Sequence, residues 1–294
     1  MTTYYVGTSS AGLADGSSWA NRYGTLNDAE DTPVVAGDTV YVGPGTYREM
    51  LTCDVSGGAG NPITYIGDYS GDNTDGVGGV VRITGSDDDI TATRTNCIRF
   101  NSKDNRTFQG FKVDLATDEA MYVLDSDNFI IDSCYIGPQT NFGGLWIGST
   151  VGTNGTVKNC YFNNEDYSWA ITVNNAGLQD DVGLLIENCI STSNYGFVQD
   201  NGVGGITVKN CTILGGGRGI YVATALTAGQ EIVVNNCIIN GCNVATEAQN
   251  LGEIVENYCS FSGNNTDRTT VNVGASSNAY PTILDSRWFF ETVR

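Results

Sequence analysis

Two pairs of neighbouring carboxylates are the residues of this sequence best suited to acid–base chemistry. They are Glu165-Asp166 and Asp180-Asp181, and both stand where the chain leaves a strand-like segment. Hydrolysis of a glycosidic bond needs two carboxyl groups ~5–9.5 Å apart. Because the chain has 33 acidic residues, some pair meets that distance by accident. The sequence therefore predicts no catalytic residue and keeps these four as candidates only if the protein is an enzyme.

Charge excludes several classes of partner. The 33 acidic residues face 14 basic ones and no histidine, so the net charge is −19. Such a charge disfavours binding to nucleic-acid phosphates and slows the approach to acidic polysaccharides or anionic membranes. No apolar run reaches the ~18 residues of a membrane-spanning helix. We expect neither a nucleic-acid partner nor a membrane.

Metal and cofactor sites are also not predicted. The loop Asp72-Asn73-Thr74-Asp75-Gly76 has oxygen-bearing side chains that could hold calcium. It lacks the acidic residue that closes an EF-hand loop, so we interpret it as a solvated turn. The nine cysteines and the absence of histidine give no zinc-ligand spacing.

The elements that position these side chains belong to a repeat of roughly 25 residues. The stretch 157–162, Val-Lys-Asn-Cys-Tyr-Phe, returns in related form at 131–136, 186–191, 208–213 and 234–239. Cysteines recur at 22 to 37-residue intervals, at positions 97, 134, 160, 189, 211, 237 and 259. Self-similarity at such a period indicates a solenoid.

The residue before each cysteine predicts the kind of solenoid. Strand alternation places the branched residue of the repeat inward and the charged one outward. Continued strictly, it would turn the asparagine inward and the cysteine outward, yet the apolar pattern after the corner predicts a cysteine that points inward. One residue must absorb a bend, and asparagine enters the left-handed region more cheaply than most residues. A strand, a one-residue corner and a second strand form the coil of a parallel β-helix. A further strand is expected at 144–147, 196–198 and 219–222.

Stacked coils predict what the columns of side chains do. The outward residues two positions before the cysteines alternate in charge and are interpreted as a ladder of ion pairs that fixes register: Asp132, Lys158, Glu187 and Lys209. Stacked cysteines have parallel side-chain directions one strand spacing apart. We therefore expect a file of reduced, buried thiols rather than disulfides.

Aromatic residues on outward positions are candidates for a ligand site or an interface. Tyr135 and Tyr161 share one column, and Trp146 and Tyr221 point outward from the further strand. Aromatic rings stack on sugars or fill protein interfaces, although exposed tyrosines are also ordinary in strands. Trp288, Phe289 and Phe290 near the C-terminus are interpreted as a cap or a partner-binding tail.

These motifs resemble the right-handed parallel β-helix superfamily of pectate lyases, polygalacturonases and phage tailspikes. The likeness covers roughly residues 38–270 and includes the run Gly37-Asp38-Thr39-Val40, which is similar to the opening coil of many β-helix proteins. It implies an all-β, right-handed solenoid. Lyases of this fold are expected to use a basic residue and often calcium. This chain has no histidine, and its basic residues are scattered along the sequence.

We predict one domain with three parts. Residues 1–37 form a cap with a short helix over 18–30 that buries Trp19, Leu26 and Ala29; residues 38–270 form the β-helix of about eight coils; residues 271–294 form a C-terminal cap or tail. An unpaired end of a solenoid exposes strand edges and core, which a capping helix covers.

The expected function is structural rather than enzymatic. No export signal is recognisable, and no catalytic constellation stands out. The resemblance to phage β-helices implies a virion component of a tailed phage, a capsid decoration or tail-associated protein, assembled in the host cytoplasm. It also implies homotrimers, with other virion proteins or a glycan as partners. The alternatives are a carbohydrate-active β-helix enzyme, including a tailspike depolymerase, or an extracellular bacterial adhesin.

Overall fold

Three parallel sheets wind into a single solenoid. The computed structural model describes residues 1–31, 34–138, 143–148, 154–164, 169–174, 183–201, 204–223, 226, 230–248 and 253–269, together with the backbone of 272–273. Each complete coil contributes one strand to each of three sheets, named sheet A, sheet B and sheet C in the order in which the chain visits them; Thr3–Val6 and Asn272–Val273 add a strand to sheet A alone. Every strand pairing is parallel, which confirms the predicted β-helix.

The strands are short and line the same three sides in every coil. Sheet A contains Thr3–Val6, Thr39–Val42, Ile63–Gly67, Arg106–Gln109, Ile130–Asp132, Thr156–Lys158, Leu184–Glu187, Ile206–Lys209, Ile232–Asn235, Ile254–Asn257 and Asn272–Val273. Sheet B contains Gly45–Tyr47, Val81–Thr84, Lys112–Asp114, Tyr135–Ile136, Tyr161–Phe162, Ile190–Ser191, Thr212–Leu214, Ile238–Asn240 and Ser260–Ser262. Sheet C contains Leu51–Cys53, Ile98–Asn101, Glu119–Leu124, Gly143–Gly148, Trp169–Asn174, Gly196–Asp200, Arg218–Val222, Val244–Glu247 and Thr266–Thr269.

The corner between sheets A and B is one residue with a positive φ. Asn159, Asn188 and Asn210 have φ near 55° (55°, 54° and 54°), as predicted from their position before each cysteine. Their amides also form a ladder that sequence reasoning did not anticipate. Asn159 Nδ2 donates to Asp132 Oδ1 at 2.8 Å, and Asn236 Nδ2 donates to Asn210 Oδ1 at 2.8 Å. The asparagine therefore supplies both a permitted backbone conformation and a bond between coils.

The cysteines after these corners form the predicted buried file, with one correction. Those at 134, 160, 189, 211, 237 and 259 are buried and unbridged. Burial raises the pKa of the Cys160 and Cys189 thiols well above the ordinary value. Cys97 was wrongly included, because it precedes the sheet C strand Ile98–Asn101 and its amide bonds Ala120 O. Phe111 occupies the file at the level before Cys134, since Tyr135 N bonds Phe111 O as Tyr161 N bonds Cys134 O.

The N-terminal end is closed by a helix and a buried ion pair. The single helix predicted over 18–30 is wrong: a 3₁₀ turn covers Trp19–Asn21 and helix α1 covers Leu26–Asp31. Tyr23 bridges to Val6 between them, which requires extended backbone. Leu26 and Ala29 are buried as predicted, whereas Trp19 is half-buried.

Helix α1 sends one charged side chain into the bore of the solenoid. Glu30 accepts hydrogen bonds from Arg106 Nη1 at 2.6 Å, Arg106 Nη2 at 2.8 Å and Tyr65 Oη at 2.6 Å. Arg106 is fully buried and its Nε donates to Val55 O at 2.7 Å. A buried charge is tolerated only when paired and hydrogen-bonded, so this network fixes α1 on the solenoid end.

The outer face of sheet A has the predicted ladder of charges. Lys158 Nζ lies 3.5 Å from Asp132 Oδ2, and Lys209 Nζ lies 2.8 Å from Glu187 Oε2. These residues are aligned in register, because Asp132 pairs with Lys158, Lys158 with Glu187, and Glu187 with Lys209. The four charges of this ladder are satisfied within the chain.

Candidate functional site

The outer face of sheet C has a column of polar and aromatic side chains that crosses seven coils. Strand register aligns these residues directly above one another: Arg99, Tyr122, Trp146, Thr172, Gln199, Tyr221 and Glu247. All seven are partly accessible, unlike the inward residues on either side of them. At one strand spacing per coil the column is ~29 Å long. We call it the sheet C column.

The first part of the column is a stack capped by a guanidinium group. The rings of Tyr122 and Trp146 lie 4.6 Å apart with an interplanar angle of 4°. Two rings that lie side by side in one plane cannot have centroids this close, so the two rings are stacked face to face. Their planes lie across the solenoid axis. Arg99 covers the other side of Tyr122, its Cζ 5.2 Å from the ring centroid. The sandwich therefore leaves one indole face of Trp146 directed at the next coil.

A second aromatic group lies further along the same face. Trp169 is buried, stacks on Tyr221 at 5.8 Å and 13°, and contacts the edge of Tyr195 at 5.3 Å. Arg218 covers Tyr221 at 4.6 Å, and its Nε lies 2.5 Å from Glu247 Oε2. The cation of this group is thus neutralised within the chain.

Glycines make room for both indoles. A Cβ atom at Gly148 would lie 2.0 Å from Trp146 Cη2, and one at Gly196 would lie 2.2 Å from Trp169 Cζ3. Neither distance is possible between non-bonded carbon atoms. The glycines within these strands, which weaken a strand by themselves, are therefore explained by rings lying over them.

Between the two aromatic groups the column has only Thr172 and Gln199. Thr172 is a short side chain directly above Trp146 in register, and Gln199 Nε2 donates to Asn201 Oδ1 at 2.9 Å. Trp146 and Gln199 stand two coils apart, ~10 Å. This interval is open on the Trp146 side. One face of the Trp146 indole stacks on Tyr122, and among the described residues no ring or cation stacks on the opposite face.

A carboxyl group of altered acidity lies beside the column. Glu119 begins the strand Glu119–Leu124 and accepts a hydrogen bond from Asn96 Nδ2 at 3.2 Å. Burial raises the pKa of the Glu119 carboxyl above its ordinary value, and the neighbouring Asp118 carboxylate adds to the rise. The Glu119 carboxyl therefore gives up its proton less readily than an exposed glutamate.

The tyrosine pair predicted on sheet B is present on its outer face. Tyr135 and Tyr161 are neighbours in register, with ring centroids 5.2 Å apart and tilted by 40°. Their hydroxyls are engaged: Asn163 Nδ2 donates to Tyr135 Oη at 3.2 Å, and Tyr161 Oη bonds Thr192 Oγ1 at 2.8 Å. Neither tyrosine is part of the sheet C column, which contains the other two predicted aromatics, Trp146 and Tyr221.

Three basic residues that are far apart in the sequence, Arg48, Arg82 and Lys112, lie close together in the fold. Arg82 Nε donates to both carboxylate oxygens of Asp114 at 2.9 Å, and Lys112 Nζ lies 3.5 Å from Asp114 Oδ2. Arg48 and Arg82 both bind Asp89 in the acidic loop that folds over sheet B. Each of these cations has a carboxylate partner, so the cluster fastens the loop.

The acidic loop after the strand Ile63–Gly67 is a self-bonded turn. Asp68 accepts hydrogen bonds from Ser70 Oγ at 2.9 Å, Asn73 N at 2.8 Å and Thr74 Oγ1 at 2.9 Å. Across the described ranges, no three carboxylates or thiols are grouped as metal ligands. In the same part of the chain, no helix is long and apolar enough to span a bilayer.

Several predicted site residues lie outside the described residues. They are Glu165, Asp166, Asp180, Asp181, Trp288, Phe289 and Phe290. Sequence reasoning also missed members of the sheet C column. Arg99, Tyr122 and Thr172 lack the repeated Asn-Cys signal, and only an alignment of the coils by strand register would have identified them.

A shallow depression of about 410 Å³ lies on the outer face of sheet A, around Leu185, Thr207 and Val233. Its lining combines aliphatic side chains with the polar groups of Thr207, Lys209 and Glu231. Lys209 is already paired with Glu187. Unlike the sheet C column, the described lining of the depression has no aromatic ring on which a ligand could stack.

Comparisons with known proteins agree with this architecture. Solved structures similar to the chain include a rhamnogalacturonan lyase (17% identity, TM-score 0.65, covering 90% of this chain and 74% of that one). XylC, solved in complex with xylose, has 12% identity and a TM-score of 0.69 over 90% of this chain and 68% of its own. The pectate lyase Pel9A has 15% identity and a TM-score of 0.65 over 95% and 79%. At these identities the likeness is one of fold.

Sequence comparison leads to a family rather than to an individual relative. No curated protein matches the chain by sequence. The family model described as "Right handed beta helix region" matches residues 96–285. This stretch covers well over half of the chain and coincides with the coils that form the thiol file and the sheet C column. The chain therefore belongs to the right-handed β-helix family.

Proposed function

We propose that this protein binds an extended glycan along the outer face of sheet C. The observation that carries the proposal is the sheet C column, in which an amide and a hydroxyl group lie between aromatic side chains on one rigid surface ~29 Å long. Aromatic rings supply apolar contact area, and polar groups beside them fix the orientation of a ligand. The similar solved structures include lyases named for polysaccharides and a protein bound to xylose, which supports a carbohydrate ligand.

The charge of the chain favours a neutral glycan. The net charge is −19, and Arg218 in the column is paired with Glu247. An anionic polysaccharide would be repelled at long range, although salt screens this repulsion beyond ~8 Å at physiological ionic strength. A neutral chain with hydroxyl groups meets no such barrier. The expected ligand is thus a neutral polysaccharide.

The test is a binding titration with defined oligosaccharides. Hexasaccharides of glucose, xylose and galacturonic acid are titrated calorimetrically into the wild-type protein and into Trp146→Ala. We expect a neutral hexasaccharide to bind, and its affinity to fall at least tenfold in the variant, a change of ~1.4 kcal/mol. Tyr161→Ala on sheet B is the matched control and should bind like wild type. Equal losses in both variants, or no binding by wild type, would contradict the proposal.

A second candidate function is cleavage of the bound glycan. The strand Trp169–Asn174, which carries Thr172 of the column, stands in the sequence between Glu165-Asp166 and Asp180-Asp181. Asp166 lies three residues before that strand and Asp180 six residues after it, which keeps both pairs as candidates for acid–base chemistry. Incubation of the bound glycan with wild type and with Asp180→Asn/Asp181→Asn, followed by reducing-end analysis, tests this function. Products formed equally by both proteins would exclude the second pair.

The virion role expected from the sequence remains a separate proposal. A glycan-binding β-helix on a phage particle would serve attachment to a host surface, and the same binding face would serve a bacterial adhesin. Mass spectrometry of purified particles tests the location, and light scattering tests the expected trimer. Absence of the chain from particles would remove the virion proposal without affecting the glycan-binding proposal.

A further inference from the structure

The sheet C column is interrupted at one level, and the interruption has a definite shape. Below it, the stack of Arg99, Tyr122 and Trp146 ends with an indole face directed along the solenoid axis. At the next level the outward residue is Thr172, which is too short to continue the stack. The level after that has Gln199, whose amide is held by Asn201. Trp146 and Gln199 therefore form the two walls of a slot, and Thr172 forms its floor.

The separation of the walls is large enough for one ring and too small for two stacked rings. Trp146 and Gln199 stand two strand spacings apart, ~10 Å. A ring placed between them makes two non-bonded contacts of ~3.5–4 Å, one with each wall. Two such contacts fit within the interval, whereas two stacked rings would not fit. The interval is therefore a slot for a single ring.

We propose that the slot at Thr172 takes one sugar ring of the glycan edge-on, with its apolar face against the Trp146 indole. This inference rests on the proposed function and deepens it, because it defines where the sugar ring inserts and the chemical class of that ring. The ring is neutral, since the walls and floor of the slot have no charge of their own. The side-chain oxygen of Gln199, Oε1, accepts a hydrogen bond from a hydroxyl of the sugar ring. A purely aromatic ligand would lack that hydroxyl.

The two ends of the column explain why the ring enters here. Arg99 closes the outer side of Tyr122, and Arg218 lies over Tyr221, whose ring is also stacked by Trp169. Within the part of the chain that the structure describes, the second face of Trp146 is the aromatic face of the column that no ring or cation covers. A ligand that stacks on this column therefore stacks at Thr172.

The slot can be filled by one substitution that removes no aromatic residue. Thr172→Phe places a ring at the vacant level and continues the stack. We expect the affinity for the neutral hexasaccharide bound by wild type to fall at least tenfold by calorimetry. Thr212→Phe is the matched control, because Thr212 is a half-buried outward threonine on sheet B. It should bind like wild type. Thr172→Ala keeps the slot open and should also retain binding.

The outcomes separate the slot from the binding face. Binding that is unchanged in Thr172→Phe but lost in Trp146→Ala would overturn the slot and leave the proposed function in place. A wild-type protein that binds no hexasaccharide would overturn both, and binding of the galacturonic acid hexamer alone would overturn the neutral class. If Thr172→Phe unfolds at a lower temperature than the wild-type protein, Thr172→Leu tests the same prediction with a smaller side chain. A loss of binding in Thr172→Ala would show that the hydroxyl, rather than the open level, is what the ligand uses.

Discussion

The outer faces of sheet A and sheet C share one backbone geometry and differ in what their columns leave unsatisfied. On sheet A, Lys158 and Lys209 are paired with Asp132 and Glu187, so the column is complete within the chain. On sheet C, the stack that begins at Arg99 ends at an uncovered face of Trp146. Both columns have one residue per coil at ~4.8 Å. Sheet C therefore keeps an uncovered ring face where the sheet A column keeps its charges paired, and this contrast is the basis of the proposed binding face.

Removing two side chains from each face gives the largest expected contrast. Tyr122→Ala/Trp146→Ala should lower glycan affinity more than 100-fold, ~2.8 kcal/mol, because the whole aromatic wall is lost. Lys158→Ala/Lys209→Ala on sheet A should bind within a factor of two of wild type. Calorimetric titration of both variants with the same hexasaccharide measures the contrast. Similar losses from both faces would show that binding depends on the solenoid as a whole.

The glycines beneath the indoles give the next largest effect. Gly196→Ala should lower the free energy of unfolding by ~1–3 kcal/mol, because overpacking forces neighbouring groups to move. The new Cβ would meet Trp169 Cζ3 at 2.2 Å and the Arg218 carbonyl oxygen at 2.5 Å. Thr207→Ala on sheet A should change stability by less than ~0.5 kcal/mol. Urea unfolding followed by circular dichroism compares them; equal stability of the two variants would contradict the role given to Gly196.

Charge inversion tests the ladder of sheet A with a smaller effect. Glu187→Lys places a lysine between Lys158 and Lys209, and like charges opposite each other should cost ~0.2–1 kcal/mol. Adding Lys209→Glu restores one opposite pair and should recover part of the loss. Glycan affinity should stay constant throughout. A double variant less stable than the single one would show that these residues do not interact as a ladder.

The smallest effect concerns the pH dependence of the sheet C face. Burial raises the pKa of Glu119, so the folded state holds the proton more tightly than the unfolded state. Ionised Glu119 therefore costs stability at neutral pH, and the cost disappears as pH falls through the raised pKa toward the unfolded value of ~4.3. Glu119→Gln should be more stable than wild type at pH 7 and equal to it below that value. Melting curves across this range measure the difference, and a constant offset would contradict the shift.

Local sequence patterns were sufficient for the corner and the file, with limits that have physical causes. Asn159 and Cys160 are adjacent, and the conformation of one decides the direction of the other. Cys97 has the right residue type, but its asparagine neighbour, Asn96, bonds the strand Glu119–Leu124 and forms no corner. A residue type alone cannot show which sheet it enters. The contact between Tyr122 and Trp146 could not be predicted from the sequence for the same reason, because coils of unequal length hide which residues become neighbours.

Alternation and backbone preference within six residues were sufficient to predict a parallel β-helix, its asparagine corners and its buried thiols. The right-handedness was implied by the resemblance to known β-helix proteins. Only the tertiary structure decided which distant side chains share a column. It brought Arg82 to Asp114, Glu30 to Arg106 and Trp146 to Tyr122. Register between coils is a property of the whole stack, set by how every loop closes. The candidate binding face depends on that register and on the vacancy at Thr172.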